Sequence, residues 1–186
     1  MPIIALHGAK GSGKDTFFRL AKDNRPNTTV KRVAFAGPIS EFVKHVFGLP
    51  SDWAYDQFKR QLQTLTLGDN TFVTQGGRHI VREIGMKMRS YDPEQFNRYV
   101  KETIDADPSA FWCITDLRFE DELHFVRSLG GYVVKIKRVG VEYDNHITET
   151  EFPDHVCDFV INNTSNQFEQ YKSDVLTVFD TIMKAN

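Results

Sequence analysis

The sequence contains only two cysteines among 186 residues, Cys113 and Cys157, and each lies in a short apolar run. Two cysteines cannot build a framework of several disulfides, so we expect free thiols and a reducing compartment, the cytoplasm. Long apolar runs are also missing. None approaches the roughly 20 residues that a membrane-crossing helix needs, so we expect no membrane partner.

Neither sign of charge dominates. The chain has 23 basic and 25 acidic side chains and a formal net charge of −2. A general nucleic-acid binder is usually strongly basic, so the balance argues against a nucleic-acid partner. Hydrophobic residues make up 40% of the chain and include 15 phenylalanines, which suits one globular domain with a substantial core.

Short apolar runs alternate with segments of helical spacing, which predicts an α/β fold with a parallel sheet of about five strands flanked by helices. The predicted strands are 2–6, 31–36, 111–115, 131–138 and 158–162. Helices are predicted within 14–24, 38–48, 51–65, 78–91, 92–107, 118–131 and 164–184. Residues 68–77 are predicted to form a loop or a short hairpin. Ligands of such sheets bind at the carboxyl ends of the strands.

The stretch HGAKGSGKDT follows the first predicted strand directly. Gly8, four residues, Gly13 and Lys14 match the spacing G-x-x-x-x-G-K. Glycines let backbone N–H groups surround a phosphate, the following helix start favours an anion, and the lysine reaches the outer phosphates. Gly11 and Ser12 add flexibility and one more donor. We therefore predict a phosphate-binding loop, with nucleotide contacts from Gly11 through Thr16.

Asp15 stands where this loop usually carries a serine or threonine that binds Mg²⁺. A carboxylate can also meet a hard cation, directly or through water. Asp15 could therefore bind the metal or assist the acceptor oxygen. The hydroxyl of Thr16 could then contact the metal or a phosphate. It could equally serve to complement the positive end of the helix.

A second acidic residue, Asp116, ends the predicted strand FWCIT. An acid at the end of a strand beside a phosphate loop often stands near the metal. Arg118 follows two residues later, and its planar guanidinium group can donate two parallel hydrogen bonds to a phosphate. The alternative for Arg118 is a surface ion pair with Glu120 or Glu122.

Four segments resemble one family. GAKGSGKDT, ITDLRFEDEL, GGYVVKIKR with DNHITE, and CDFVINNTS occur in the order found in bacteriophage-type deoxynucleoside monophosphate kinases. That family belongs to the P-loop kinases related to adenylate kinase, and the resemblance runs from residue 7 to about 165. It implies a three-layer P-loop kinase fold, ATP with Mg²⁺, and transfer of a phosphoryl group to a deoxynucleoside 5′-monophosphate in a host cytoplasm.

The resemblance also implies roles for residues and regions. Lys14, Asp15, Arg118 and Arg138 are the candidate catalytic residues, and Asp15, Thr16 and Asp116 are the candidate metal ligands. For acceptor binding, the resemblance implies Arg82, Arg89, Asp116, Arg118 and His146. Arg60, on the predicted helix QFKRQLQ, and Glu122, close to Arg118, are further candidates that do not come from the resemblance. One domain is expected, with a core at 1–50 and 109–186, a helical acceptor-binding region at about 51–108 and a short lid at about 138–151.

Other functions stay open at this point. The loop sequence GKD is shared with animal-type phosphomevalonate kinases, so phosphomevalonate or dephospho-coenzyme A is an alternative acceptor. A nucleotide-binding module without turnover is the alternative outside the enzymes. Trp53, Phe58 and Gln61 are candidates for contacts with a base. A homodimer is also left open, because nothing in the sequence decides the oligomeric state.

Overall fold

A computed structural model describes residues 2–61, 64–67, 70–73, 76–143, 150–164 and 167–185, with the backbone alone for 64–67 and 70–73. The strands are β1 (Ile3–His7), β2 (Val30–Val33), β3 (Thr64–Leu67), β4 (Asn70–Val73), β5 (Phe111–Ile114), β6 (Tyr132–Arg138) and β7 (Phe159–Asn163). The helices are α1 (Lys14–Asp23), α2 (Gly37–Val46), α3 (Asp52–Arg60), α4 (Gly77–Tyr91), α5 (Gln95–Asp105), α6 (Glu120–Ser128) and α7 (Phe168–Ala185).

Five strands form one parallel sheet in the order β2-β5-β1-β6-β7. This confirms the predicted α/β class and the central parallel sheet. The first strand lies in the middle, where the chain turns from one half of the sheet to the other. The carboxyl ends of β1 and β5 are therefore neighbours, which is where an open parallel sheet binds its ligands.

Burial in the core explains why the short apolar runs of the sequence form strands. β1 is buried at every position, as a parallel strand covered on both faces must be. On one face, Leu6 and Phe111 belong to the same apolar cluster as Phe17 of α1 and Phe179 of α7. The rings of Phe111 and Phe179 lie 4.2 Å apart between centroids. This packing fixes α1, and hence the loop before it, against the centre of the sheet.

The chain divides into two compact units, one of Met1–Phe35 with Val100–Asn186 and the other of Ala36–Tyr99. The first unit holds the parallel sheet, and the second holds α2, α3, α4 and an antiparallel pair of short strands. Within the part of the chain that the structure describes, no helix is both long and apolar enough to cross a membrane.

The helix predicted over 51–65 is too long. α3 ends at Arg60, and β3 begins at Thr64 and pairs with β4, with Leu67 opposite Asn70. The alternation of leucine and threonine in TLTL and the dipeptide Gly68-Asp69 are typical of a two-residue hairpin. The hairpin predicted as one option for 68–77 therefore exists, but it starts inside the segment that was assigned to a helix.

Candidate active site

The loop between β1 and α1 approaches the sheet too closely for any residue larger than glycine at its first position. Gly8 has φ of +150°, and a Cβ built there would lie 2.4 Å from the carbonyl oxygen of Ile136 and 2.7 Å from Ser12 Oγ. The loop is therefore seated directly over β6. This contact explains the first glycine of the motif as a requirement for space.

Two cations hold carbonyl groups of this loop. Lys14 Nζ donates to the oxygens of Gly8 and Ala9, at 2.5 and 2.9 Å. Arg138, the last residue of β6, donates to the oxygen of Gly11 at 3.0 Å. Two predicted catalytic residues from distant parts of the sequence thus meet at the same loop.

Two neutral side chains hold the next two carbonyls. Asn163 Nδ2 donates to Ser12 O at 2.7 Å, and the Tyr171 hydroxyl donates to Gly13 O at 3.0 Å. Asn163 ends β7, and Tyr171 is a buried residue of α7. Neither residue was singled out for a role by the sequence, although Asn163 belongs to the segment CDFVINNTS.

The loop is suited to an anion. Among the described residues the buried Ser12 hydroxyl has no hydrogen-bond partner, and Ser12 is 1% exposed. A buried hydroxyl without a partner costs free energy, which a bound phosphate oxygen would offset. The first turn of α1 adds backbone N–H groups that have no partner within the helix.

The carboxylates after β1 and β5 are connected through β2. Asp15 pairs with Arg32 at 3.0 Å, and Arg32 Nε donates to the hydroxyl of Thr115 at 2.9 Å. Asp116, the next residue, accepts from the backbone N–H of Phe35 at 2.8 Å. Arg32 was missed by sequence reasoning, because a single arginine in a strand has no spacing signal that links it to the loop.

The turn that carries Arg118 is held by Glu122. This carboxylate is buried, and it accepts from the backbone N–H groups of Arg118 and Phe119 at 2.9 and 3.2 Å. Glu122 therefore shapes the turn after β5 on which Arg118 lies. A direct contact of Glu122 with an acceptor stays a prediction.

Beneath the loop, His7 connects three segments of the first unit. Its Nδ1 lies 3.1 Å from Leu117 O, so this nitrogen carries the proton. Its Nε2 accepts from the backbone N–H of Phe152 at 3.0 Å and lies 2.9 Å from the Tyr143 hydroxyl. Burial lowers the pKa of His7 to about 4, with Lys135 and Lys14 adding to the effect, so the ring is neutral near pH 7.

Lys135 is a second buried polar residue of this region. Its Nζ donates to Phe152 O at 2.5 Å and pairs with Glu151 and Asp154 at 2.6 and 2.9 Å. His7 and Lys135 together anchor the segment around Phe152, directly after the predicted lid at about 138–151. A charged residue inside the apolar run VVKIK was the sequence signal for such a site. His146 and the centre of the predicted lid lie outside the described residues.

The second unit carries the remaining predicted arginines. Arg60 is exposed at the end of α3, and Arg82 and Arg89 are half-buried on α4. The Arg89 guanidinium lies 5.5 Å from the centre of the Phe96 ring. Their contacts with an acceptor phosphate stay predictions.

An aromatic pocket of about 420 Å³ opens in the second unit. Its described lining consists of Phe47, Leu49, Trp53, Ala54, Gln57, Phe58 and Gln61. The rings of Phe47 and Phe58 lie 4.8 Å apart, and Trp53 is 73% exposed. The volume is typical of small-molecule sites, and the lining contains three of the candidates for base contact.

The residues near the loop include oxygen ligands of the kind that Mg²⁺ prefers, but they do not surround a metal ion by themselves. Asp15, Thr16 and Asp116 offer the hard oxygen ligands that Mg²⁺ prefers. Among the described residues, no group of three or more His, Cys, Asp or Glu could hold a metal. This suits Mg²⁺, which commonly binds through one or two carboxylates together with substrate phosphates.

Comparison with known proteins reveals similarity along the whole chain. The sequence is 26% identical, over an alignment of 200 residues that covers all of both chains, to the "putative deoxynucleotide monophosphate kinase" of Acanthamoeba polyphaga mimivirus. No protein-family model matches the chain. The similarity confirms the resemblance that the four sequence segments indicated.

Solved structures confirm the fold. Dephospho-CoA kinase from Campylobacter jejuni matches with a TM-score of 0.53 and 18% identity, covering all of both chains. A putative kinase from Chloroflexus aurantiacus matches with a TM-score of 0.50 and 11% identity, covering 100% of this chain and 97% of the other. The chain thus has the fold of the P-loop kinases and resembles, over its full length, a protein named as a deoxynucleotide monophosphate kinase.

Proposed function

We propose that the protein transfers a phosphoryl group from ATP to a deoxynucleoside 5′-monophosphate. The bond between the γ-phosphorus and its bridging oxygen breaks, ADP leaves with the bonding electrons, and a new P–O bond forms to the acceptor phosphate. The observation that carries the proposal is the loop after β1, whose buried Ser12 hydroxyl has no partner in the part of the chain that the structure describes. The overall fold and the full-length relative both support a kinase.

Lys14 and Arg138 act on the donor side in this proposal. Both already lie at the loop, where they hold its carbonyl groups. Lys14 Nζ can exchange those carbonyls for phosphate oxygens, and the five N–H donors of Arg138 leave others beside the one that Gly11 uses. Mg²⁺, when bound, neutralises charge on the phosphates, and Asp15, Thr16 and Asp116 are the residues that would hold it.

Asp15 is paired with Arg32 at 3.0 Å. Both side chains are substantially exposed, at 71% and 48%, so the pair is weak and can yield to a metal or be kept beside it. Arg32 is therefore placed to orient the carboxylate. Asp15 remains a candidate ligand of the metal and a candidate to assist the acceptor oxygen.

Arg118 acts on the acceptor side. A phosphate monoester carries about −1.5 to −2 charges near neutral pH, and it must approach a triphosphate of the same sign. Phosphoryl transfer depends mainly on positioning and on cations that offset this repulsion. Arg118, held by the turn that Glu122 caps, supplies one such cation, and Arg60, Arg82 and Arg89 are further candidates.

The aromatic pocket supports a nucleotide as the acceptor. Phe47, Trp53 and Phe58 offer flat apolar surfaces for a base, and the carboxamides of Gln57 and Gln61 can donate and accept hydrogen bonds at its edge. No charged side chain belongs to the described lining. Phosphomevalonate, which has no flat ring, gains nothing from such a pocket.

A coupled assay of ADP release tests the proposal. The panel contains deoxynucleoside and ribonucleoside monophosphates, phosphomevalonate and dephospho-coenzyme A, each with and without Mg²⁺. We expect turnover with at least one deoxynucleoside monophosphate and strict dependence on the metal. If only phosphomevalonate or only dephospho-coenzyme A is turned over, the proposed acceptor is wrong. ATP binding without turnover on any compound favours the nucleotide-binding module.

A further inference from the structure

Asn163 and Tyr171 are the neutral pair among the side chains that hold the loop. They belong to the last strand and the last helix, some 150 residues from the loop in sequence. We propose that they are positioning residues, which keep the amides of Gly13 and Lys14 directed at the donor phosphates. This inference rests on the proposed binding of nucleotide at the loop.

Peptide geometry gives the first argument. In a planar trans peptide the C=O and the following N–H point in opposite directions. Asn163 fixes the direction of the Ser12 carbonyl, and therefore of the Gly13 N–H. Tyr171 does the same for the Gly13 carbonyl and the Lys14 N–H, together with the backbone N–H of Phe17, which donates to the same oxygen at 2.9 Å. Both N–H groups consequently point away from β7 and α7.

Close packing gives the second argument. Gly13 has φ of +118°, which side chains rarely adopt, and a Cβ there would lie 2.5 Å from Asn163 Nδ2 and 3.1 Å from the Tyr171 hydroxyl. The two side chains thus occupy the space that any larger residue at position 13 would need. The glycine of the motif and its two partners form one packed unit.

Charge gives the third argument. Lys14 and Arg138 also hold loop carbonyls, but both are cations that bound phosphates attract. An amide and a phenol have no such attraction to phosphate. Burial raises the pKa of Tyr171, so its hydroxyl keeps the proton that it donates. Asn163 and Tyr171 therefore continue to orient the loop after the cations have moved to the nucleotide.

The test compares Tyr171→Phe, which removes one hydroxyl, and Asn163→Leu, which removes the amide at similar size. Tyr132→Phe is the matched control, because Tyr132 lies at the opposite, amino end of β6 and packs on Phe159. Calorimetry measures the Kd for ATP without acceptor, thermal unfolding of the free protein measures stability, and steady-state kinetics measure KM for each substrate.

We expect each variant to raise the Kd for ATP about 3- to 10-fold, the effect of losing one hydrogen bond that keeps the loop in its binding conformation. KM for the acceptor should match the control. The apparent Tm should fall by about 2–4 °C, because each variant loses one hydrogen bond of the folded protein. An unchanged Kd overturns the inference, whether or not the Tm falls. If the unmodified chain binds no ATP, the proposed function fails as well. If it binds ATP and the variants bind equally, only the inference fails.

Discussion

At the scale of single residues, the ammonium group of Lys14 is central to the proposed chemistry. Lys14 reaches back over the loop to the carbonyls of Gly8 and Ala9, and in the proposal its charge stabilises the transferred phosphoryl group. The neighbouring carboxylate of Asp15 is held on the other side by Arg32. A cation and an acid are thus available within two consecutive residues.

Lys14→Ala should reduce phosphoryl transfer by a factor of at least about 100, because charge stabilisation in the transition state is lost. The fold should survive, since the described hydrogen bonds of Lys14 Nζ go to carbonyls of the loop and not to the apolar core. Turnover in the coupled assay and circular dichroism measure the two effects. Lys22→Ala, an exposed lysine of the same helix, is the control. Equal turnover in both variants would refute the assignment of the loop.

Arg118→Ala should weaken use of the acceptor more than binding of ATP. We expect KM for the acceptor to rise about 10-fold or more, because a charge-assisted contact with phosphate is lost. KM for ATP should change little. Arg127→Ala is the control, because Arg127 lies near the carboxyl end of α6 and pairs with Asp158 at 2.5 Å. Equal losses for both substrates would assign Arg118 to the donor.

His7 should make stability depend on pH. The folded protein keeps His7 neutral down to a pKa of about 4, whereas the unfolded chain takes up a proton near 6.5. The free energy of unfolding should therefore fall as pH drops from 6.5 towards 4, by at most about 3 kcal/mol, and this contribution should level off below 4. Above pH 6.5 both states are neutral and the contribution is constant.

Urea unfolding at several pH values checks this. His7→Asn should lose that part of the pH dependence, while His124→Asn, at an exposed position of α6, should retain it. Identical slopes in His7→Asn and the unmodified protein would show that another group is responsible.

At the scale of elements, α3 and the segment that connects it to α2 together form the aromatic pocket. Phe47 directly follows α2, whereas Trp53 and Phe58 belong to α3. Ser51 begins α3 by accepting from the N–H of Ala54 at 3.2 Å, and this cap sets where Trp53 lies. Trp53 is also a convenient reporter, because Trp112, the second of the two tryptophans, is only 4% exposed.

If the aromatic pocket binds the acceptor, a deoxynucleoside monophosphate should quench the emission of Trp53, because the base would stack on the indole. Trp53→Phe should remove the signal, and Trp53→Ala should raise KM for the acceptor about 5- to 20-fold. Phe42→Ala, an exposed aromatic of α2 outside the pocket lining, is the control. Saturable turnover without any change in emission would place the base elsewhere.

Elements also show where sequence patterns failed. The segment QLQTL continues the helical spacing of apolar and polar residues in α3, so a helix was predicted through residue 65. The structure instead has a strand at Thr64–Leu67. Threonine favours strands, and pairing with Asn70–Val73 supplies hydrogen bonds that no local pattern reveals. The end of a helix depends on what the following residues can pair with.

At the scale of the whole molecule, the buried sheet protects Cys113. This thiol lies in β5 and is 1% exposed, and burial raises its pKa to about 12. Cys157 is only half-buried. A thiol reagent should therefore label Cys157 in the folded protein and reach Cys113 only when the sheet opens.

Saturating nucleotide should slow the labelling of Cys113, by about 100-fold at a ligand concentration 100 times Kd. Cys157→Ser leaves Cys113 as the one thiol and gives the rate directly by mass spectrometry. Lys14→Ala in the same background is the control that should lose the protection. Fast labelling of Cys113 without denaturant would contradict the closed sheet.

The sequence alone determined the α/β alternation, the parallel strands and the phosphate loop, because each depends on residues that are close in the chain. Apolar runs, glycines and a lysine at set spacings suffice for those features. Only the tertiary structure decided which side chains hold the loop. Arg32, Arg138, Asn163 and Tyr171 reach it from four separate elements, and the order of strands in the sheet, which no local spacing encodes, brings them together.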